Sequence, residues 1–137
     1  MQNNTLQQTL YTVIGCCHEV YRQLGPGLPE YVYQEALASE FTSSGLTFYK
    51  ELEFHPLYKG NPLNTYIKMD LVVESIEGNI IIECKALSNL TEREHYQVFG
   101  YLRATGFSAA VLVNFGASPK AQIERFTIQN SKIVAFW

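Results

Sequence analysis

The stretch TYIKMDLVV (residues 65–73), a polar turn (residues 74–79) and IIIECKAL (residues 80–87) decide how this chain folds. Both apolar segments are rich in β-branched residues and are bounded by turn residues, which predicts two consecutive β-strands. The second segment is apolar almost throughout, as expected of a strand that is covered on both faces. The stretch therefore predicts two neighbouring strands in a buried sheet.

Three of the charged side chains in these strands could form one site. Asp70, the only aspartate in the chain, lies in the first strand, and Glu83 and Lys85 lie in the second. Because side chains alternate along a strand, Glu83 and Lys85 point to the same side while Cys84 points to the other. Burying such charges is costly unless they are paired or hold a cation. We therefore expect either a structural ion pair, Lys85 with Glu83 or Asp70, or a metal site.

The metal alternative has a specific chemistry. Carboxylate oxygens from Asp70 and Glu83 suit Mg²⁺ or Mn²⁺, with waters in the remaining positions. The backbone carbonyl of Cys84, between Glu83 and Lys85, could add a further ligand. A lysine beside the ion can orient a bound water, help to deprotonate it, and stabilise charge on a transferring phosphoryl group.

Composition limits the class of protein. The chain has 137 residues, of which 47% are hydrophobic and 17% charged, which predicts one folded domain over residues 1–137 rather than a disordered chain. The net charge of −3 gives no general attraction to a polyanion. Binding to nucleic acid would have to come from a local basic patch, a metal or a partner.

Cysteines and the N-terminal residues predict a compartment. Cys16, Cys17 and Cys84 form no CxxC pair, so neither a zinc site nor a disulfide framework is expected. The first ten residues lack the basic start and apolar run of a signal peptide. No apolar stretch approaches the about 20 residues that span a bilayer. We predict a soluble cytoplasmic protein without membrane contact.

The remaining segments complete an α/β pattern. Apolar residues at steps of three and four predict helices, and glycines and prolines mark where they end. Thr91 with Glu94 three residues later forms a capping box, which predicts a helix start directly after the second strand. The order of elements predicts a mixed β-sheet flanked by helices. The predicted elements are helices at 5–24, from Pro29 to near Gly45 and from Thr91 to Gly106, strands at 46–58 and 109–115, and a C-terminal edge hairpin.

Two groups of motifs resemble a known family. Asp70, the ECK tripeptide at 83–85 and a following Gln97-x-x-x-Tyr101 pair resemble the PD-(D/E)XK nuclease superfamily in its RecB-like form. Gly27-x-x-Glu30-x-x-Tyr33, with LGP before it and QEAL after it, resembles the small GxxExxY proteins of that superfamily. Further matching pieces are DLVV at 70–73, YL at 101–102, ATG at 104–106 and NFG at 114–116, so the resemblance runs from about residue 10 to 117.

The resemblance implies a fold and roles for individual residues. It implies a PD-(D/E)XK core, with a mixed sheet flanked by helices, in which Asp70 and Glu83 hold the metal and Lys85 lies by the attacking water. Glu30 on the second helix would be an additional acidic group, and Glu35 is the alternative. The pair Gln97 and Tyr101 would position the substrate or the lysine.

The sequence is compatible with three functions. The first is a Mg²⁺- or Mn²⁺-dependent nuclease that hydrolyses phosphodiester bonds, with DNA as the expected partner. The second is a catalytically inactive module of the same fold that acts through protein partners or as a homo-oligomer; the low charge and the 13% aromatic content fit such a surface. The third is an intact metal site that acts on a smaller phosphate or nucleotide.

Overall fold

A six-stranded mixed β-sheet lies between a pair of helices and a third helix in the computed structural model, which describes residues 4–136. A two-stranded ribbon projects from the connection between the first and second strands of the sheet. The elements are α1 (Leu6–Leu24), α2 (Glu30–Ser43), β1 (Phe48–Phe54), β2 (Leu57–Tyr58), β3 (Asn61–Pro62), β4 (Ile67–Ser75), β5 (Gly78–Lys85), α3 (Glu92–Thr105), β6 (Ala109–Asn114), β7 (Gln122–Gln129) and β8 (Lys132–Phe136).

The order of strands places the decisive stretch at the centre of the sheet. The order is β1-β4-β5-β6-β7-β8, and β2 pairs with β3 in the separate ribbon. Only β5 and β6 run parallel in the larger sheet, and α3 makes the crossover between them, as parallel neighbours require. The prediction of a mixed sheet flanked by helices is confirmed.

Local sequence signals set the helix boundaries. Thr5 caps α1 in a reciprocal capping box with Gln8, and Thr91 caps α3 in the same way with Glu94. Gly106 ends α3 in the left-handed conformation, at a φ of 70°. The second helix begins at Glu30, so Pro29 is its N-cap and not, as the sequence predicted, its first residue.

Two apolar clusters cover the two faces of the sheet. Ile80 and Ile82 pack against α1 and α2, whereas Ile81 packs against α3 with Val98 and Leu102. All three isoleucines are fully buried. The prediction that β5 is covered on both faces is therefore confirmed.

Two turns are tighter than the sequence predicted. Glu74 pairs with Asn79 and Ser75 pairs with Gly78, which leaves only Ile76 and Glu77 in the turn between β4 and β5. The sequence Lys59-Gly60-Asn61-Pro62 also predicts a turn of four residues, but Asn61 and Pro62 form β3. Across residues 4–136, none of the helices has the length and apolar character needed to traverse a bilayer.

Candidate active site

The β4–β5 pair changes character at the level of Asp70 and Glu83. Up to Leu71 and Ile82 the strands keep their antiparallel register. One step further, the Asp70 N–H donates to Glu83 Oε2 at 2.7 Å, and the Cys84 N–H donates to Asp70 Oδ2 at 2.9 Å. Each carboxylate therefore binds a main-chain amide of the opposite strand. The exchange brings the two acids side by side on neighbouring strands, as the sequence predicted.

The other side of β4 is also irregular at this level. Lys50 pairs with Leu71 and Leu52 pairs with Met69, so Glu51 lies across from Asp70. Glu51 has a φ of 50°, in the left-handed region that residues with a β-carbon rarely adopt. The backbone of β1 is therefore strained beside Asp70, and on the β5 side the hydrogen bonds of the carboxylates replace the regular pairing.

Burial sets the electrostatics of the acid pair. Glu83 is 3% exposed, and burial, reinforced by the nearby Asp70 carboxylate, raises the pKa of Glu83 to about 8. Burial likewise raises the pKa of Asp70, while the hydrogen bond from the Cys84 N–H and the charge of Lys85 act in the opposite direction. Burial and mutual repulsion make the ionised pair unfavourable. A cation bound between the two carboxylates would offset this cost.

Lys85 is joined to α3 rather than to the acids. Its Nζ donates to Gln97 Oε1 at 2.7 Å, and Gln97 Nε2 donates to the Tyr101 hydroxyl at 3.3 Å. Lys85 forms no salt bridge to another residue of the described chain. The alternative of a structural ion pair between Lys85 and Glu83 or Asp70 is therefore wrong. Gln97 instead connects the lysine to Tyr101 through two hydrogen bonds.

A cavity of about 260 Å³ opens beside Lys85. Glu30, the first residue of α2, faces this cavity across from α3. Glu35 lies in a separate depression with Tyr31 and Lys50. Of the two candidate helical acids, the structure therefore brings Glu30 and not Glu35 to the lysine. The cavity is lined by Glu30, Lys85, Leu87, Arg93, Glu94 and Gln97.

Arg93 is a member of this cavity that sequence reasoning missed. It is exposed and lies in the first turn of α3. The signal was available, because Arg93 precedes Gln97 by four residues, as Gln97 precedes Tyr101, and residues four apart share one face of a helix. The three side chains therefore form a stripe along α3 towards the acids.

Cys84 contributes its main chain to the site. Its side chain is buried among the residues that pack against α1 and α2. Burial raises the pKa of the Cys84 thiol well above its ordinary value, which disfavours a thiolate ligand. The N–H is held by Asp70, and metal ligation by the Cys84 carbonyl stays a prediction.

The loop before Glu30 is held in place by Tyr33. The Tyr33 hydroxyl donates to the Gly25 carbonyl and accepts the Leu28 N–H at 3.1 Å. Its ring stacks on Phe115, with the ring centroids 4.5 Å apart. These contacts fix the direction in which α2 begins and hence the position of Glu30.

The chain that follows Lys85 is held by the end of β6. Asn114 Oδ1 accepts the Leu87 N–H at 2.8 Å, and Asn114 Nδ2 donates to the Leu87 carbonyl at 2.9 Å. Gly116 packs so closely that a β-carbon there would lie 2.4 Å from the Leu87 carbonyl oxygen. The site is therefore bounded by main chain that cannot move far without loss of these contacts.

The donor set fits a hard divalent cation. The exchange with the main chain uses one oxygen of Asp70 and one of Glu83, so the second oxygen of each can bind an ion. Over residues 4–136 there is no cluster of three or more His, Cys, Asp or Glu side chains placed to hold a metal. Two carboxylates nevertheless suit Mg²⁺ or Mn²⁺, because such ions retain several waters.

Comparison with known proteins agrees with this geometry. A family model of the PD-(D/E)XK nuclease superfamily matches residues 7–126. Comparisons with curated proteins and with solved structures give no significant match. The match spans most of the chain and includes the strands with Asp70 and Glu83, the helix with Gln97, and their supports. The chain belongs to the PD-(D/E)XK nuclease superfamily.

Proposed function

We propose that this protein is a nuclease of the GxxExxY type that hydrolyses phosphodiester bonds in DNA with Mg²⁺ or Mn²⁺. The observation that carries the proposal is the exchange between Asp70 and Glu83, which holds a partly buried and a buried carboxylate within the field of Lys85. A purely structural sheet would gain more from apolar residues at these positions, because buried acids cost free energy. The acids are explained if the site binds a cation.

Each side chain then has a role. Asp70 and Glu83 would hold the ion, which when bound supplies Lewis-acid activation of a water and neutralises charge on the phosphate. Lys85 would orient the attacking water and stabilise the charge that develops on the phosphoryl oxygens. Gln97 positions Lys85 through the 2.7 Å hydrogen bond, and Tyr101 positions Gln97.

The cavity beside Lys85 would receive the scissile phosphate. Arg93 and Lys85 line it with positive charge, while Glu30 lines it with negative charge. The Arg93 guanidinium makes no hydrogen bond or ion pair with any residue in the described part of the chain, so its charge is available to a phosphate. Glu30 would add a carboxylate on the solvent side of the acid pair.

The direct test compares Lys85→Ala with Lys132→Ala, a matched change on the exposed edge strand β8. We expect Lys85→Ala to lower Mn²⁺-dependent cleavage by at least about 100-fold, while Lys132→Ala retains it. Circular dichroism checks that both variants are folded. Pure wild-type protein that leaves single-stranded, duplex and branched DNA intact with both metals would contradict the proposal.

A non-hydrolytic module that acts through a partner or a second copy is the alternative. It is favoured by the ribbon, where Leu57 is 63% and Tyr58 is 62% exposed, since exposed apolar groups often mark interfaces. Calorimetric titration with Mn²⁺ separates the two: heat of binding that is lost in Glu83→Gln supports the nuclease, and its absence in the wild type supports the module. Cleavage of mononucleotides but not of DNA would favour a smaller substrate.

A further inference from the structure

A second cavity, of about 580 Å³, lies next to the candidate active site. Leu87 lines the cavity beside Lys85, and the next two residues, Ser88 and Asn89, line the second one. Its other walls come from α1, from the connection between β6 and β7, and from the first half of β7. The two cavities therefore share the loop that follows β5.

Two basic side chains and several hydrogen-bond donors lie among the apolar residues of the second cavity. Lys120 and Arg125 line it, and His18 adds a ring nitrogen from α1. Lys120 is exposed and makes no hydrogen bond or ion pair to residues within 4–136. The acid in the lining, Glu124, has its carboxylate bound to His95 Nε2. A ligand in this cavity thus meets a lysine without a partner and a carboxylate that is already engaged.

The walls of the second cavity are held by polar contacts. Gln122 Oε1 accepts the Leu90 N–H at 3.2 Å and an Asn114 Nδ2 hydrogen at 2.8 Å, which ties the shared loop to β6 and β7. The Tyr21 hydroxyl donates to the Ala117 carbonyl at 2.7 Å and ties the opposite wall to α1. A ligand would bind without ordering these segments first, which lowers the cost of binding.

We propose that this second cavity binds a backbone phosphate of a polynucleotide whose scissile phosphate lies beside Lys85. The inference rests on the proposed function and adds a second contact to the backbone of its substrate. Lysine, arginine, serine and asparagine side chains are the usual donors to backbone phosphates, and Lys120, Ser88, Asn89 and Ser118 supply them here. Contacts of this kind set affinity and register and do not read base sequence.

The shared loop is short enough for one strand to contact both of its ends. Leu87 and Asn89 are two residues apart, so their α-carbons lie within roughly 7 Å of each other. A nucleic-acid strand advances about 3.4 Å per nucleotide along a duplex axis. A strand that crosses the shared loop would therefore present phosphates to both cavities, whereas a substrate with a single phosphate can contact one of them.

The test compares Lys120→Ala with the matched surface change Lys132→Ala, which removes the same charge at the far end of the sheet. Binding of a labelled single-stranded oligonucleotide is measured with EDTA over a range of salt concentrations, so that hydrolysis plays no part. We expect Lys120→Ala to weaken binding roughly three- to tenfold and to reduce the slope of log K against log salt by about 0.7. Lys132→Ala should change neither quantity.

A second measurement separates this inference from the proposed function. Mn²⁺-dependent hydrolysis of a small phosphodiester, bis(p-nitrophenyl) phosphate, should be the same in Lys120→Ala and in the wild type. Wild-type affinity and salt slope in Lys120→Ala would overturn the second phosphate site and leave the nuclease proposal intact. Wild-type protein that binds DNA in a Lys120-dependent way but hydrolyses nothing would overturn the nuclease and leave the phosphate site.

Discussion

The inner and outer halves of the β4–β5 pair differ in the polarity of their side chains and in how their main-chain amides are hydrogen-bonded. In the inner half, Leu71–Val73 opposite Ile80–Ile82, fully buried apolar side chains accompany a regular backbone register. In the outer half, which consists of Asp70, Glu83 and Cys84, carboxylates take main-chain amides that a regular ladder would pair with carbonyls. The inner half therefore stabilises the fold, and the outer half carries buried charge at a cost in stability.

The inner half should be the more sensitive to loss of volume. Ile81→Ala removes a fully buried side chain from the cluster under α3, and we expect it to lower the free energy of unfolding by about 2–5 kcal/mol. Ile76→Ala is the matched control, because Ile76 is 62% exposed in the adjoining turn. It should stay within about 0.5 kcal/mol of the wild type in urea unfolding. Similar losses in both variants would contradict the division into halves.

The main chain that bounds the outer half can be tested through Gly116. A β-carbon there would meet the Leu87 main chain at 2.4–2.6 Å, so we expect Gly116→Ala to cost about 1–3 kcal/mol of unfolding free energy. Gly100→Ala is the control, since nothing lies within 4 Å of a β-carbon on that exposed face of α3. It should be neutral or stabilise by up to about 1 kcal/mol. Thermal unfolding of both variants decides the point.

The charge of the outer half predicts an unusual dependence of stability on pH. Burial raises the pKa of Glu83 from its ordinary 4.5 to about 8. The folded state therefore binds more protons than the unfolded state between these values, and the free energy of unfolding of the metal-free protein falls as pH rises through that window. Below about pH 4.5, Glu83 is protonated in both states, and the free energy of unfolding no longer depends on pH through this group.

Glu83→Gln isolates this contribution. It removes the buried charge while keeping an oxygen that accepts the Asp70 N–H. We expect the metal-free variant to exceed the wild type in unfolding free energy by about 1–2 kcal/mol at pH 9, with the difference shrinking towards pH 5. The exposed Glu53→Gln is the control and should show no such trend. A difference that does not depend on pH would show that Glu83 does not titrate in this way.

The smallest expected effect concerns the strained neighbour of the outer half. Glu51 has a φ of 50° and adds negative charge near Asp70. Asparagine tolerates the left-handed region better than glutamate, so Glu51→Asn should raise the unfolding free energy by about 0.5–1 kcal/mol. The same change at Glu53, which lies in the regular part of β1, should give no gain. Chemical denaturation at fixed pH resolves a difference of this size.

The sequence predicted the inner half and the helices well because local signals determine them. Alternation of apolar residues, the capping box at Thr91 and glycine after α1 and α3 act over a few residues. The turn between β4 and β5 was predicted too long because the polar residues Glu74 and Asn79 were assigned to it. In the structure they pair with each other at the ends of the two strands. Polarity alone therefore did not identify the two residues of the turn.

The site was predictable only where its members share one element or adjacent strands. Spacing placed Glu83 with Lys85 and Gln97 with Tyr101, but it could not choose between Glu30 and Glu35, since that depends on how α2 packs against the sheet. The direct partner of Lys85, Gln97, was indicated by the family resemblance, whereas charge alone suggested an ion pair that does not form. The second cavity joins three distant segments, and no local pattern indicates it.

The stacking of Tyr33 on Phe115 has a consequence for how mutations in distant parts of the chain combine. One ring links the start of α2 to the residue that follows β6, although 82 positions separate them (115 − 33 = 82). Loss of either ring would loosen both the start of α2, which carries Glu30, and the end of β6, where Asn114 binds Leu87. Changes at these two positions should therefore be strongly non-additive, because the first would already release what the second was meant to disturb.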